Sequence, residues 1–372
     1  MRACYLLSVL AMAALQTSAQ AQSPEKLNRD ADAAYERGDV QQAIRLYEEL
    51  LKAQPDSVEA RTNLGVALAR IGRYNDAIAQ YDKALRRAPE NPSILLDVAL
   101  AWYKQAVFDK AAATLEHLRA KHPENRQSLY LLADCYLRLG RDRDTVALLQ
   151  PVYDADAHDR AVNFALGMAL INTGQMQKGE IIIDQVAKTA GQSEVDLLTG
   201  AAQLAARDSK AAVVTIRKAL DAAPDLPGGW SLYGKALTDN GDREGAGKAY
   251  RRALEADPND FEANLYLGGM LRYDGSIEEA TPYLEKARML RPASVEARFQ
   301  IGLLNVAQGR LQDALAELAQ VEHESPGFKE VHVQLALLYA RLHRMKDSER
   351  ERAQVVEIDE KAREQAPRQP QP

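Results

Sequence analysis

The chain has 372 residues, of which 46% are hydrophobic, 27% charged and 6% aromatic, and its formal net charge is -6. So much apolar material argues against a disordered chain, and the acidic balance argues against nucleic acid, whose phosphates need clustered Lys and Arg. Two cysteines exclude a disulfide framework or a cysteine-rich zinc fold, and six scattered histidines leave little for a histidine metal site.

Residues 1–21 read MRACYLLSVLAMAALQTSAQA. Arg2 gives a positive start, Tyr5 to Leu15 is apolar apart from Ser8, and Ala19-Gln20-Ala21 offers small residues where a signal peptidase reads. This is the pattern of a removable secretory signal peptide. A membrane anchor is the alternative, but the run is shorter than the ~20 residues a spanning helix needs. Cys4 precedes the apolar stretch instead of closing it, so lipidation is discounted. No later stretch is apolar enough to span a bilayer. The expectation is an exported, soluble protein, periplasmic or extracellular in a bacterium, with Cys135 as its lone cysteine.

From residue 24 the chain repeats. Prolines fall at 55, 89, 123, 224, 258, 292 and 326, with gaps of 34, 34, 101, 34, 34 and 34. Slots are counted within each repeat from Pro24, so that these prolines take slot 32. Slot 8 then holds Ala31, Gly65, Ala99, Ala133, Gly167, Gly200, Gly234, Gly268, Gly302 and Ala336, all of them small. One residue is deleted between Gly167 and Gly200. Slot 15 carries glycine in seven repeats, from Gly38 to Gly309, and slot 20 carries alanine in seven, from Ala43 to Ala314. Apolar residues recur at three- and four-residue spacing, as amphipathic helices require. The slot-15 glycine is expected to end a first helix, and the proline to follow a second. Slot 8 is expected to face slot 20, letting the two helices approach closely. Such a pair cannot bury its apolar face alone, so neighbours must stack into a solenoid.

The pattern resembles the tetratricopeptide repeat. The seventh repeat carries the motif in Trp230, Tyr233, Gly234, Leu237, Gly241, Ala246, Tyr250, Ala253 and Pro258; the second carries it in Leu64, Gly65, Gly72, Tyr74, Ala77, Tyr81, Ala84 and Pro89. The resemblance implies an all-α fold, a right-handed α-solenoid of about ten stacked helix-turn-helix repeats. They start near 24, 58, 92, 126, 160, 193, 227, 261, 295 and 329, and the solenoid covers residues 22–362. Residues 363–372 read as a disordered Pro/Gln-rich tail. The fourth, fifth, sixth and tenth repeats depart most from the pattern. Thr145 and Gly179 replace the slot-20 alanine, and Ala106, Arg207 and His343 replace the turn glycine. Ser348 and Arg352 make the last repeat polar, as suits a solvent-facing cap. The weak middle repeats are open to two readings, a hinge or divergent repeats that still pack.

Catalytic chemistry is not visible. None of the six histidines has an i, i+4 partner or an evident carboxylate, so they read as surface or helix-end residues. There is no phosphate-cradling glycine loop. Cys135 takes slot 10, alanine in six other repeats, and reads as a small core residue. No catalytic, cofactor or metal residue is expected, and the chain reads as a non-enzyme.

The resemblance implies that first helices line a groove, and slots 2, 5, 9 and 12 share one helical face. That face offers Leu96, Leu100 and Tyr103 in the third repeat and Tyr130, Asp134 and Leu137 in the fourth. The fifth adds Phe164, Met168 and Ile171, and the sixth Leu197 and Leu204. The seventh turns polar with Lys235; the eighth and ninth give Leu265, Arg272, Phe299 and Leu303. Such a face either receives a protein or peptide segment or packs on itself under tight curvature; both readings stay open. The Lys and Asn pair that clamps chaperone tails in some relatives is absent from the first repeats, where slots 5 and 9 hold Asn28, Asp32, Thr62 and Val66. The expectation is an exported scaffold holding a protein segment in a cell-envelope assembly or secretion system. The alternatives are a self-associating structural protein and the interaction subunit of an enzyme complex.

Overall fold

A computed structural model describes residues 23–189 and 191–365. The expected signal peptide and all of the expected tail beyond residue 365 lie outside them. The described residues form twenty helices and no strand. The chain divides into two compact units, one reaching Asp97 and one beginning at Val98.

The first unit holds α1 (Pro24–Glu36), α2 (Val40–Ala53), α3 (Val58–Arg70), α4 (Tyr74–Leu85) and the start of α5 (Pro92–Lys104). The second continues with α6 (Phe108–Lys121), α7 (Arg126–Arg138), α8 (Asp142–Ala155), α9 (Arg160–Asn172) and α10 (Met176–Thr189). Then come α11 (Gln192–Ala205), α12 (Ser209–Ala222), α13 (Gly229–Asp239), α14 (Arg243–Ala256) and α15 (Phe261–Tyr273). The last are α16 (Ile277–Leu290), α17 (Val295–Ala307), α18 (Leu311–Glu324), α19 (Lys329–Arg341) and α20 (Met345–Gln365). Each pair is one repeat, shortened by one residue in the fifth, so the fold is an all-α solenoid of repeats. Helix α20 runs three residues past the expected end of the solenoid.

Every first helix stops in the same way. The slot-15 residue takes a left-handed backbone, and the next amide bonds five residues back, as Arg73 does to Leu68 and Asp242 to Leu237. Seven of these residues are glycine, from Gly38 (φ 85°) to Gly309 (φ 75°). The other three, Ala106, Arg207 and His343, sit at φ 59°, 63° and 58°. The turn is therefore imposed by the repeat and not by the glycine. A Cβ in that region costs about 1–2 kcal/mol.

The slot-8 glycines open space for a different neighbour from the one expected. All but Gly167, which meets Ile182 at slot 23, face slot 24 and not the alanine of slot 20. A Cβ on Gly65 would sit 2.4 Å from the Tyr81 ring, one on Gly234 2.6 Å from the Tyr250 ring, and one on Gly200 2.3 Å from Ile216. The absent side chain makes room for a large one. The slot-20 alanines, such as Ala77 and Ala246, are fully buried nearby.

A second device recurs at slot 4. Its side chain donates to the slot-32 carbonyl six residues earlier. Asn163 reaches Ala157 at 2.8 Å, Trp230 reaches Pro224 at 2.9 Å, and Asn264 reaches Pro258 at 3.1 Å. Arg298 reaches Pro292 at 3.3 Å, His332 reaches Pro326 at 3.0 Å, and Arg61 bonds the Pro55 carbonyl. Each donor supplies the partner that a turn carbonyl outside the helices calls for.

The divergent middle repeats are packed. One apolar cluster joins Leu129 and Leu149 to Val162, Leu166, Ile182 and Leu198, with Leu232 against it. The last repeat is not simply a polar cap: Ser348 and Glu351 are fully buried. Ser348 donates to the Ala336 carbonyl at 2.8 Å, and Glu351 accepts from His332 at 2.8 Å.

Arg207→Gly should relieve the left-handed strain in an exposed turn. The expected gain is about 1 kcal/mol in urea unfolding, with no change in far-ultraviolet circular dichroism.

Candidate functional site

In the second unit the chain returns on itself. Helix α7 ends beside the start of α15 and the turn after α16, more than a hundred residues later. The link is made by side chains. Arg138 donates to Asp134 at 2.8 Å and to Asp257 at 2.7 Å. Burial opposes the Arg138 charge, but Asp134, Tyr103 and Asp257 outweigh it and hold its pKa above the ordinary value. Arg291 donates to the Leu137 carbonyl at 3.2 Å, bonds the Arg138 carbonyl, and pairs with Glu262 at 3.0 Å. Its guanidinium lies 4.0 Å from the centre of the Phe261 ring. The Leu137 carbonyl also accepts the Gly140 amide at 3.0 Å, and the end of α7 carries the negative end of its dipole, so a cation is well placed there. Beside this clasp, Ala106 and Phe108 share an apolar cluster with Phe261, Leu265 and Ile301.

The clasp borders two cavities. One, of about 510 Å³, lies among α7, α9, α13 and the start of α15. The other, of about 940 Å³, lies on the side of Leu139, Tyr266 and Phe328. Arg291, Glu262, Phe261 and Lys235 border both.

Six residues of the expected groove line the smaller cavity: Tyr130, Asp134, Leu137, Phe164, Met168 and Lys235. Five others lie deeper than the expected face. Ile171, Leu197, Leu204, Leu265 and Phe299 are buried, from 1% to 9% exposed, and belong to core clusters. Leu265 does border the larger cavity. The 3-4-3 spacing finds a helical stripe but not the angle at which neighbouring helices meet it, and slots 5 and 12 turn into the seam in these repeats. The remaining five are half-buried and do not line the smaller cavity: Leu96, Leu100, Tyr103, Arg272 and Leu303. Tyr103 donates to Asp134 at 2.5 Å and packs edge-on to Phe108, while Arg272 bonds Gln300 at 3.2 Å.

Sequence reading missed Leu232, Phe261, Asp257 and Arg291 in this wall. Nothing local marks them, because their partners lie far away in the chain. It also missed Val333 and Leu337, which take slots 5 and 9 of the last repeat and are 37% and 54% exposed. The slot pattern would have found them had it been carried one repeat further.

Two other groups fall outside this wall. Cys135 is buried, and burial pushes its thiol up to about 12, so it is inert at neutral pH. His332 is not a surface residue; it is 2% exposed and its partner Glu351 is at 0%. Glu322 completes a trio whose ligand atoms all lie within 4.8 Å. The His332 Nδ1 to Glu351 distance of 2.8 Å is that of a hydrogen bond. Two such ligands on one zinc ion would stand about 3.3 Å apart. Both ring nitrogens face acceptors, so the imidazolium satisfies both. Arg350 caps the other Glu351 oxygen at 2.8 Å. Burial lowers the His332 pKa, but the bonds to Glu351 and the Pro326 carbonyl outweigh that and raise it.

Three sequence profiles described as Tetratricopeptide repeat match the chain, at residues 29–92 and 271–327, 70–127, and 227–270. The chain belongs to the tetratricopeptide repeat family. The matched segments leave 128–226 between them, where the divergent repeats lie. A tetratricopeptide repeat protein from Parabacteroides merdae is similar in structure, at 18% identity and a TM-score of 0.57, over 66% of this chain and 98% of that one. The Cut9–Hcn1 hetero-tetramer of APC/C is also similar, at 12% identity and a TM-score of 0.52, over 91% of this chain and 87% of that one. At such identities the likeness speaks to the fold alone. No curated protein matches the chain. A tetratricopeptide repeat fold indicates a protein-interaction scaffold.

Two measurements test these contacts. Because the folded His332 pKa lies above the ordinary 6.5, its contribution is complete below pH 6.5 and is lost as pH rises through the folded value. Urea unfolding between about pH 5.5 and 8.5 should show a loss of about 1–3 kcal/mol. His332→Asn keeps a donor for the Pro326 carbonyl, as Asn264 does for Pro258, and should flatten that dependence. Arg291→Met should speed hydrogen exchange of the Leu139, Gly140 and Arg141 amides about ten-fold, and added salt should do the same to the wild type.

Proposed function

We propose that this tetratricopeptide protein is an exported, non-enzymatic scaffold that receives a segment of a partner protein on the inner side of its second unit. The observation that carries this reading is the 510 Å³ cavity beside the clasp. Its wall combines partly exposed apolar side chains with charges held at fixed positions. Phe164, Met168, Leu137 and Leu232 supply apolar surface whose burial favours association. Tyr130 stands at the rim, 36% exposed, with its hydroxyl donating to Asp159 at 2.6 Å. An aromatic with a fixed hydroxyl and a flexible methionine are suited to adaptable recognition. The reading of residues 1–21 as a signal peptide supports an exported setting, such as a cell-envelope assembly or secretion system.

A second reading is self-association. It is favoured by Val333 and Leu337 on α19, together with Met345 and Val356 on α20, at 53% and 56% exposed. A neighbouring chain could cover this terminal patch.

Photo-crosslinking in cells from position 168, with mass spectrometry of the adducts, tests both. A heterologous envelope protein is expected. Adducts to a second copy of this chain alone would favour self-association, and their absence at any partner would remove the cavity from consideration.

A further inference from the structure

The wall of the 510 Å³ cavity carries four carboxylates, Asp134, Asp257, Asp260 and Glu262. Each is already engaged. Asp134 and Asp257 both accept from Arg138, and Glu262 accepts from Arg291. Asp260 caps α15, accepting the Ala263 amide at 2.9 Å and the Ser231 hydroxyl at 2.6 Å. Both arginines are spent in the same contacts. Lys235 is different. It projects from α13, is exposed, borders both cavities, and has no hydrogen-bond or ion-pair partner among the described residues.

We propose that the segment received in this cavity carries a carboxylate beside a large apolar side chain, with the carboxylate on Lys235 Nζ and the apolar side chain against Phe164, Met168 and Leu232. The proposal rests on the groove reading above and names the chemistry of its partner. The argument is one of complementarity. A cationic ligand group would compete with Arg138, Arg291 and the α15 cap for carboxylates that already hold a partner, and would lie beside the Lys235 ammonium. An anionic group meets a free ammonium with three donors and displaces nothing. The apolar residues on α9 and α13 need a partner to leave water. A purely apolar segment would leave Lys235 facing it unpaired, and a purely acidic one would leave Phe164 and Met168 half-exposed.

The probes are three capped tetrapeptides: acetyl-Gly-Phe-Glu-Gly-amide, the same with Lys for Glu, and the same with Gly for Phe. They are titrated into the full chain labelled with 13C at the methionine methyls. The Met168 resonance, assigned through Met168→Leu, reports binding at this wall. The Phe-Glu peptide should shift that resonance and bind about ten-fold more tightly than either of the others. Lys235→Met should erase the preference for Glu over Lys and leave the thermal melt unchanged, since Lys235 supports no fold contact. Equal binding of the Glu and Lys peptides, tighter binding of the Lys peptide, or no shift with any of the three overturns the proposal. A heterologous adduct from position 168 that persists in Lys235→Glu would overturn it too, while leaving the groove reading standing. Loss of all heterologous adducts in the wild type would instead sink the groove reading.

Discussion

Two helices of a repeat can lie close only where one of them carries a small side chain or none, and that constraint underlies the rest of this molecule. At Gly65, Gly200, Gly234, Gly268 and Gly302 the missing Cβ leaves room for a tyrosine, isoleucine or leucine sixteen residues further along the chain but directly opposite in space. With the pair locked, the first helix must stop at the same point each time. The left-handed turn follows even where alanine, arginine or histidine occupies it. The pair then presents a fixed apolar edge to its neighbour, and stacking completes the burial that no single pair achieves.

Polar groups in this stack are placed and not scattered. The slot-4 donors show the logic. Asparagine, tryptophan, arginine and histidine have little in common except an N–H that can reach the carbonyl six residues back. The chemistry of the side chain is free; the position of its proton is not. His332 illustrates the consequence. Having given one ring nitrogen to the Pro326 carbonyl, it turns the other on Glu351, and so ties the docking of α20 to a proton.

The closure of the second unit has a different character. It depends on Arg138 and Arg291, on carboxylates, and on the exposed end of α7, with few close backbone contacts. Charge and hydrogen bonds of this kind fix geometry more than they add stability, and they respond to salt. They also decide which part of the inner side is open. Three of the four carboxylates of the cavity wall serve the arginines, the fourth caps α15, and Lys235 is left over.

Length and period, the slot-8 small residues, the turn glycines and the chain's membership of a repeat family were all legible in the sequence, because each is local and recurs every 34 residues. So was the helical stripe that brings Phe164, Met168, Tyr130 and Lys235 to one cavity. The stripe could not tell those from Leu197, Leu204 or Phe299, whose burial depends on how one repeat is rotated against the next. It could not find Arg291 for Arg138, since 153 residues separate the two and neither sits in a motif. Periodicity reports what a residue shares with its equivalents. The cavity, its clasp and its unpaired ammonium arise from what is unique to a few of them, and only the tertiary fold brings those together.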